Sequence, residues 1–185
     1  APEESLPALA LSLMPGLSTN QKAELVRRWQ SPRRAMGRLP RPPSKEIWER
    51  AEKQWALCER ERLQVISLGA PDYPALLREI ADPPVALYVR GSLTLVDDLA
   101  LAVVGSRRAS AYGLSACEKL VGDLGRLGAT IVSGLARGID AAAHRAALGS
   151  GTRTLAVLGC GLRVMYPREH RRLAEEIAAS GAVLS

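Results

Sequence analysis

The stretch Leu99–Gly105, LALAVVG, running into Ser106–Gly113, SRRASAYG, decides the fold. An uncharged, mostly branched apolar run ending in glycine has the texture of a strand buried on both faces of a parallel sheet. The polar, glycine-containing segment after it opens a predicted helix with Leu114, Cys117, Leu120, Val121, Leu124 and Leu127 on one side. The same alternation then repeats. ATIVS (129–133) is the next strand and GIDAAAHRAAL (138–148) the next helix; TLAVLG (154–159) is a third strand and REHRRLAEEIAAS (168–180) a third helix, before AVLS (182–185) begins another strand. Upstream, LQVIS (63–67) and VALYVRG (85–91) are further short strands, separated by the turn-rich APDYP (70–74). A βαβαβαβ order predicts an α/β protein with a doubly wound parallel sheet and right-handed crossovers. A strand reaching the last residue is unusual for such a sheet, so the sequence is expected to be a C-terminally truncated part of one.

Positions 1–62 differ in texture and predict a small all-α domain, with an incomplete α/β domain over 63–185. LPALALSLM (6–14) ends at Pro15-Gly16, a helix terminator. Ser18 with Gln21 three places on forms a capping-box pattern that opens a helix through Ala23, Val26 and Trp29, stopped at Ser31-Pro32. GRLPRPP (37–43) is a proline-rich connector carrying Arg38 and Arg41. Another helix places Trp48, Ala51, Trp55 and Cys58 on one face, where core packing is the expected role of the tryptophans. Bases stacked on exposed tryptophans are the alternative. This region carries 12 Lys/Arg against 8 Asp/Glu. Its helix–Pro-Gly–helix opening resembles DNA-binding helical hairpins, although any antiparallel helix pair needs such a turn.

Composition narrows the class. With 47% hydrophobic and 24% charged residues, the 185-residue chain has the balance of an ordinary globular protein. Its apolar runs are too short to cross a bilayer as a helix, which predicts no membrane span. APEESLP at the start lacks the basic-then-apolar pattern of a secretion signal. Three widely spaced cysteines, Cys58, Cys117 and Cys160, and only two histidines, His144 and His170, argue against a disulfide framework and a zinc site. A reducing, cytoplasmic setting is therefore expected. The net charge of +6 suits an anionic partner. Arginine outnumbers lysine by 21 to 4, which fits bidentate phosphate contacts and equally a coding preference of the source.

Chemistry in an open α/β sheet is sought at the carboxyl ends of the strands. Three such ends carry glycine and arginine in polar loops: Gly105-Ser106-Arg107-Arg108 and onward to Gly113, Ser133-Gly134-Leu135-Ala136-Arg137-Gly138-Ile139-Asp140, and Gly159-Cys160-Gly161-Leu162-Arg163 onward to Pro167. Glycine admits a close ligand backbone and free helix N-termini favour anions, so the three loops predict a phosphate-binding surface. No GxxxxGK[ST] occurs, and Gly159-Cys160-Gly161 lacks the third glycine of a dinucleotide site, which argues against a P-loop NTPase and an NAD enzyme. Asp140 and His144, one helical turn apart, have the spacing of an acid–base pair. The favoured reading has Asp140 accepting backbone N–H bonds at its loop and His144 filling a partly buried polar position.

AVVGSRRASAYG (102–113), IVSGLARGIDAAAHRAAL (131–148) and TLAVLGCGLRVMYPREHRRL (154–173), in that order and spacing, resemble the DprA/Smf DNA-processing family. PDYPALLREIADPPVALYVRG (71–91) is similar to that family's lead-in to the sheet, and LSLMPGLS (11–18) to its helical domain. The resemblance implies an extended Rossmann-like domain preceded by a sterile-alpha-motif-like domain. It implies a protein that binds single-stranded DNA, protects incoming strands during natural transformation and helps load RecA recombinase, with neither metal nor nucleotide cofactor and no established catalysis. Carried over by motif, Ser106 and Arg107 and the run Gly134 to Arg137 would line the DNA pocket; the predicted DNA-binding set is Gly105, Ser106, Arg107, Arg108, Ser133, Gly134, Leu135, Arg137 and Gly138. The full-length protein is expected to be a homodimer, through parts absent from this sequence. The competing class is an enzyme of related fold that cleaves nucleoside monophosphates to base and sugar phosphate. It would need an acid poised at the ribose, for which Asp140 is the nearby candidate, and release of free base would reveal it.

Overall fold

The computed structural model describes residues 2–94, 97 and 99–185. Ala1, the first residue of the predicted helical domain, lies outside them. The chain divides into two compact units, residues 1–88 and 89–185.

The first unit holds α1 (Pro2–Leu13), α2 (Thr19–Trp29), α3 (Pro32–Met36), α4 (Lys45–Arg60), β1 (Gln64–Ser67), α5 (Ala75–Arg78) and the start of β2 (Ala86–Gly91). The capping box forms as its pattern implies: Ser18 Oγ accepts the Gln21 N–H, and Gln21 Oε1 accepts the Ser18 N–H at 2.8 Å. Ser31-Pro32 does more than stop α2. Ser31 caps α3 and Pro32 occupies its first turn, where a missing N–H costs nothing. The segment after the turn-rich APDYP makes a short helix, α5, that the sequence pattern did not announce. Along α4, Ala51 and Cys58 are buried and Trp48 and Trp55 half-buried, so these four share the inward side. Ala8, Leu9, Ala10, Leu11, Ala23 and Val26 are among the other buried residues of this unit's core.

The second unit carries β3 (Ala100–Ala102), α6 (Ala111–Arg126), β4 (Thr130–Ser133), α7 (Ile139–Gly149), β5 (Thr154–Val157), a 3-10 turn at Arg168–His170, α8 (Arg171–Ser180) and β6 (Ala182–Leu184). Six strands are hydrogen-bonded in the order β1-β2-β6-β5-β4-β3. β3, β4, β5 and β6 are parallel in register Leu101↔Ile131, Val132↔Leu155 and Ala156↔Val183, while Val89–Gly91 of β2 pair antiparallel with β6. The α/β class expected from the alternating pattern is what forms.

One expectation fails in detail. LALAVVG is not a strand covered on both faces: β3 is three residues long, lies at the edge of the sheet, and leaves Leu99, Leu101 and Val104 exposed. An edge strand lacks a neighbour on one side, so apolar composition alone does not bury it. The α6 stripe is narrower than expected for a related reason. Cys117 and Val121 are buried against Ile131, Ala143 and Ala147, with Leu124 beside them. Leu114, Leu120 and Leu127 are exposed, Leu120 lying about 100° round the helix from Val121.

Candidate nucleic-acid interface

Because β3, β4 and β5 are parallel, the three glycine-rich loops all leave the sheet at its carboxyl edge. The first, residues 103–110, ends at Ser110, whose hydroxyl accepts the Gly113 N–H and caps α6. Gly105, Ser106, Arg107 and Arg108 are exposed. The Ser106 hydroxyl accepts the Arg108 N–H at 3.1 Å, a small turn that holds the two arginines at the tip.

The second loop is locked against the first. Gly138 has φ +75°, and a Cβ there would overlap Ser106 O and lie 2.9 Å from Arg107 Cα. Only glycine permits that approach, so this position fixes the Ser106–Arg107 peptide against the start of α7. The Ile139 N–H donates to the same Ser106 carbonyl at 3.1 Å. Asp140, buried in the first turn of α7, accepts the Ala136 N–H, and Gly134 leaves room for its carboxylate. This is the loop-holding role expected of Asp140.

The predicted residues therefore divide. Arg107, Arg108, Arg137, Ser106, Gly105 and Gly134 are exposed at the strand ends, and Gly138 is half-buried between the loops. Ser133 is buried and donates its hydroxyl to Val103 O at 2.7 Å. Leu135, with φ +57°, is 0% exposed, and its carbonyl accepts from His170 Nδ1 at 2.8 Å. Neither side chain presents itself to a ligand; both shape the loop that carries Arg137.

Arg137 is not free. Its Nε donates to Glu169 Oε1 at 2.6 Å, which raises the guanidinium and holds the Glu169 carboxyl below its usual range. The pairing ties the second loop to the segment following the third. Sequence reasoning missed Glu169, since the partners lie far apart in the chain and nothing in either stretch announces the other. It also left Tyr166 unremarked as an aromatic; that ring is exposed, as is Tyr112 in the first turn of α6 at 84%. Beneath the loops, Thr154 donates to Ile131 O and accepts from His144 Nδ1 at 2.8 Å, while His144 Nε2 is buried without a hydrogen-bond partner. Burial pulls His144 down to about 4, against the charge of Asp140, which raises it. A neutral, fully enclosed imidazole is a packing element, as expected, rather than a base facing a substrate.

Among the described residues no group of His, Cys, Asp and Glu has a metal-binding arrangement, and no helix is long and apolar enough to cross a membrane. Exposed Arg107, Arg108 and Arg137, the backbone turns and the Ser106 hydroxyl lie at the carboxyl ends of β3 and β4, and groups of this kind suit phosphate through charge-assisted hydrogen bonds.

Comparison with known proteins identifies relatives of the chain. The family described as DNA recombination-mediator protein A matches residues 64–185. The chain is 48% identical over 113 residues to DNA processing protein DprA of Streptococcus pneumoniae, covering 61% of this chain and 40% of that one. It is 42% identical over 131 residues to Protein Smf of Synechocystis, covering 69% and 33%. The crystal structure of the S. pneumoniae DprA superimposes with a TM-score of 0.65 at 33% identity, over 98% of this chain and 62% of that one. DNA processing protein A of Helicobacter pylori, described for its unique single-stranded DNA binding mode, superimposes with a TM-score of 0.59 at 32% identity, over 67% and 55%. The chain spans less than half the length of the relatives that it matches in sequence. With the family matching from β1 through β6 and the fold matching its solved members, this chain belongs to the DNA recombination-mediator protein A (DprA/Smf) family.

Proposed function

We propose that this chain binds the backbone of single-stranded DNA at the carboxyl ends of β3 and β4. In the full-length protein that activity would protect strands entering during natural transformation and present them to RecA, the protein acting as a cytoplasmic homodimer. The helical residues 1–62 would serve as an accessory, sterile-alpha-motif-like domain to the incomplete Rossmann-like region 63–185.

The observation that carries this reading is the seating of Gly138 on the Ser106–Arg107 peptide. It joins two adjacent strand-end loops, on which Arg107, Arg108 and Arg137 and the Ser106 hydroxyl are exposed. Guanidinium groups and loop hydroxyls read phosphate and sugar rather than base identity, so the surface suits a strand of any sequence. The H. pylori relative described as binding single-stranded DNA supports the same assignment. An enzymatic role has less support. Asp140 is buried and occupied by the Ala136 amide, and Glu169 is paired with Arg137, so neither stands as a free acid at a ribose.

The decisive experiment is Arg107→Ala, read by fluorescence anisotropy on a labelled oligonucleotide. Charge-assisted bonds contribute roughly 1.5–3 kcal/mol each, so affinity should fall on the order of tenfold or more. The salt slope should flatten by about 0.7, one single-strand phosphate. The melting temperature should hold, because Arg107 is exposed. Arg108→Ala, one step further round the turn, should weaken binding less. Unchanged binding by Arg107→Ala would put the site elsewhere.

A further inference from the structure

Five arginines around the end of α2 and α3 fall into two groups. Arg27 donates to the carbonyls of Arg78 and Ile80, both at 2.7 Å, and Arg33 donates to Glu3 O at 3.2 Å. Those guanidiniums staple the unit together. Arg28, Arg34 and Arg38 do not. With Trp29, Gln30 and Gly37 they line an open concavity of about 700 Å³, between the end of α2 and the turn after α3. The Arg38 guanidinium carbon sits 4.9 Å from the Trp29 ring centre, and that of Arg28 5.7 Å. The Arg38 N–H donates to Ala35 O, which continues the turn and carries Arg38 four residues past Arg34. Among the described residues no carboxylate pairs with any of the three. The nearby Glu4 is taken by the Ser31 hydroxyl and the Arg33 amide.

Three like charges gathered around one half-buried indole repel each other, and such a cluster persists most easily where a polyanion neutralises it. Guanidiniums held against an aromatic ring lose less freedom on binding phosphate than free side chains do, and both groups tolerate any base beside them. An acidic peptide would satisfy the charge and leave the planar surface unused. We propose that the Arg28–Arg34–Arg38 concavity around Trp29 is a second contact for single-stranded DNA, carried by the helical unit. This rests on the single-strand reading of the β3–β4 loops and extends it to a surface for which the sequence favoured core packing and a connector, with base stacking on exposed tryptophans as the alternative.

The test uses the whole chain, a labelled 40-nucleotide oligothymidine and polyglutamate as an alternative polyanion. In Arg34→Gln/Arg38→Gln, affinity for the oligonucleotide should fall on the order of tenfold at low salt, and the salt slope should drop by about 1.4, two single-strand phosphates. Arg34→Lys/Arg38→Lys should recover most of the slope. Saturating oligonucleotide should quench tryptophan emission in the parent, and Trp29→Tyr, which leaves Trp48 and Trp55 in place, should lose most of that quench. If the parent binds and Arg107→Ala weakens it, while the double glutamine variant matches the parent in affinity and slope, this proposal is overturned and the β3–β4 loop reading stands. If the parent binds no single strand, both fail. If the double variant loses polyglutamate and keeps the oligonucleotide, the patch belongs to a protein partner and the proposal is again overturned.

Discussion

Glu169 illustrates how a single carboxylate sets what an arginine has to offer. Arg137 meets a phosphate with its Nε already bonded to Glu169 Oε1 at 2.6 Å, in a pair whose side chains are both more than half exposed. Exposed pairs are weak and screened, yet the neighbouring carboxylate subtracts from phosphate binding. Glu169→Gln should therefore strengthen single-strand binding roughly two- to threefold at low salt, an effect that fades as salt screens the pair; weaker binding in the variant would mean that Glu169 positions Arg137 for the ligand. His144 sets a different property. Its folded value is depressed to about 4 from an ordinary 6.5, so the unfolded chain binds the extra proton between those limits. Its contribution is complete above about pH 6.5 and is lost as pH falls toward 4, on the order of 3 kcal/mol across that window. Denaturant melts at pH 7, 5.5 and 4.5 should show this decline, and His144→Gln should flatten it; an equally steep decline in the variant would assign it to other groups. The Asp140 loop clasp was legible in the sequence because it acts within one helical turn, whereas His144, expected to be only partly buried, is enclosed through a bond to Thr154 on another element. The Ser133 bond to Val103 and the burial of Leu135 were not, since a left-handed leucine has no sequence signature.

At the scale of elements, local chemistry was read well and coverage poorly. Capping residues act over three positions, so Ser18 with Gln21 announced α2 directly. The same rule, applied to Ser31-Pro32, could have found α3, because serine before proline starts a helix as readily as it ends one. Apolar stripes mislead where the sheet has an edge. Leu120 and Val121 are adjacent in sequence and were expected on the same packed side, yet Val121 is enclosed and Leu120 is 61% exposed. Val121→Ala should cost about 1–3 kcal/mol through the cavity it leaves among Cys117, Ile131 and Ala143. Leu120→Ala should stay within about 0.5 kcal/mol of the parent. Equal losses in urea unfolding would mean that Leu120 is covered in solution. The polar tie at the amino end of β5 was likewise invisible: Arg153 donates to Asp97 at 2.6 Å and to Ser180 O, partners far apart in sequence. Burial pushes the Asp97 carboxyl up, but the bonds from Arg153, Thr94 and Thr130 outweigh it and leave it below the ordinary range. That contribution is present above the ordinary carboxylate value and is lost only below it, in a more acidic window than that of His144.

At the scale of the whole molecule, the alternation of strand and helix was enough for the α/β class, and the order of the three loops was enough for the family. What no spacing revealed was which loops meet. The Gly138–Ser106 contact and the Arg137–Glu169 pair each join stretches distant in sequence, and they exist because parallel strands bring their carboxyl ends to one edge. The consequence is a cationic rim of exposed Arg107, Arg108 and Arg137, in a chain of net charge +6. A rim of this kind tracks one flexible backbone more readily than two rigid ones, because a single strand bends its phosphates onto the loops while a duplex holds them on a stiff cylinder. The chain should accordingly bind a 40-nucleotide single strand at least about tenfold more tightly than the duplex of the same sequence, with little difference between oligothymidine and mixed sequence. Engagement of roughly three to five phosphates gives an expected salt slope of about −2 to −3.5 for the single strand. Anisotropy titrations between low and moderate salt read both quantities. Equal affinity for duplex and single strand at matched length and salt would mean that the rim recognises phosphate density alone, and the loop arrangement fixed by Gly138 would then have no part in selectivity.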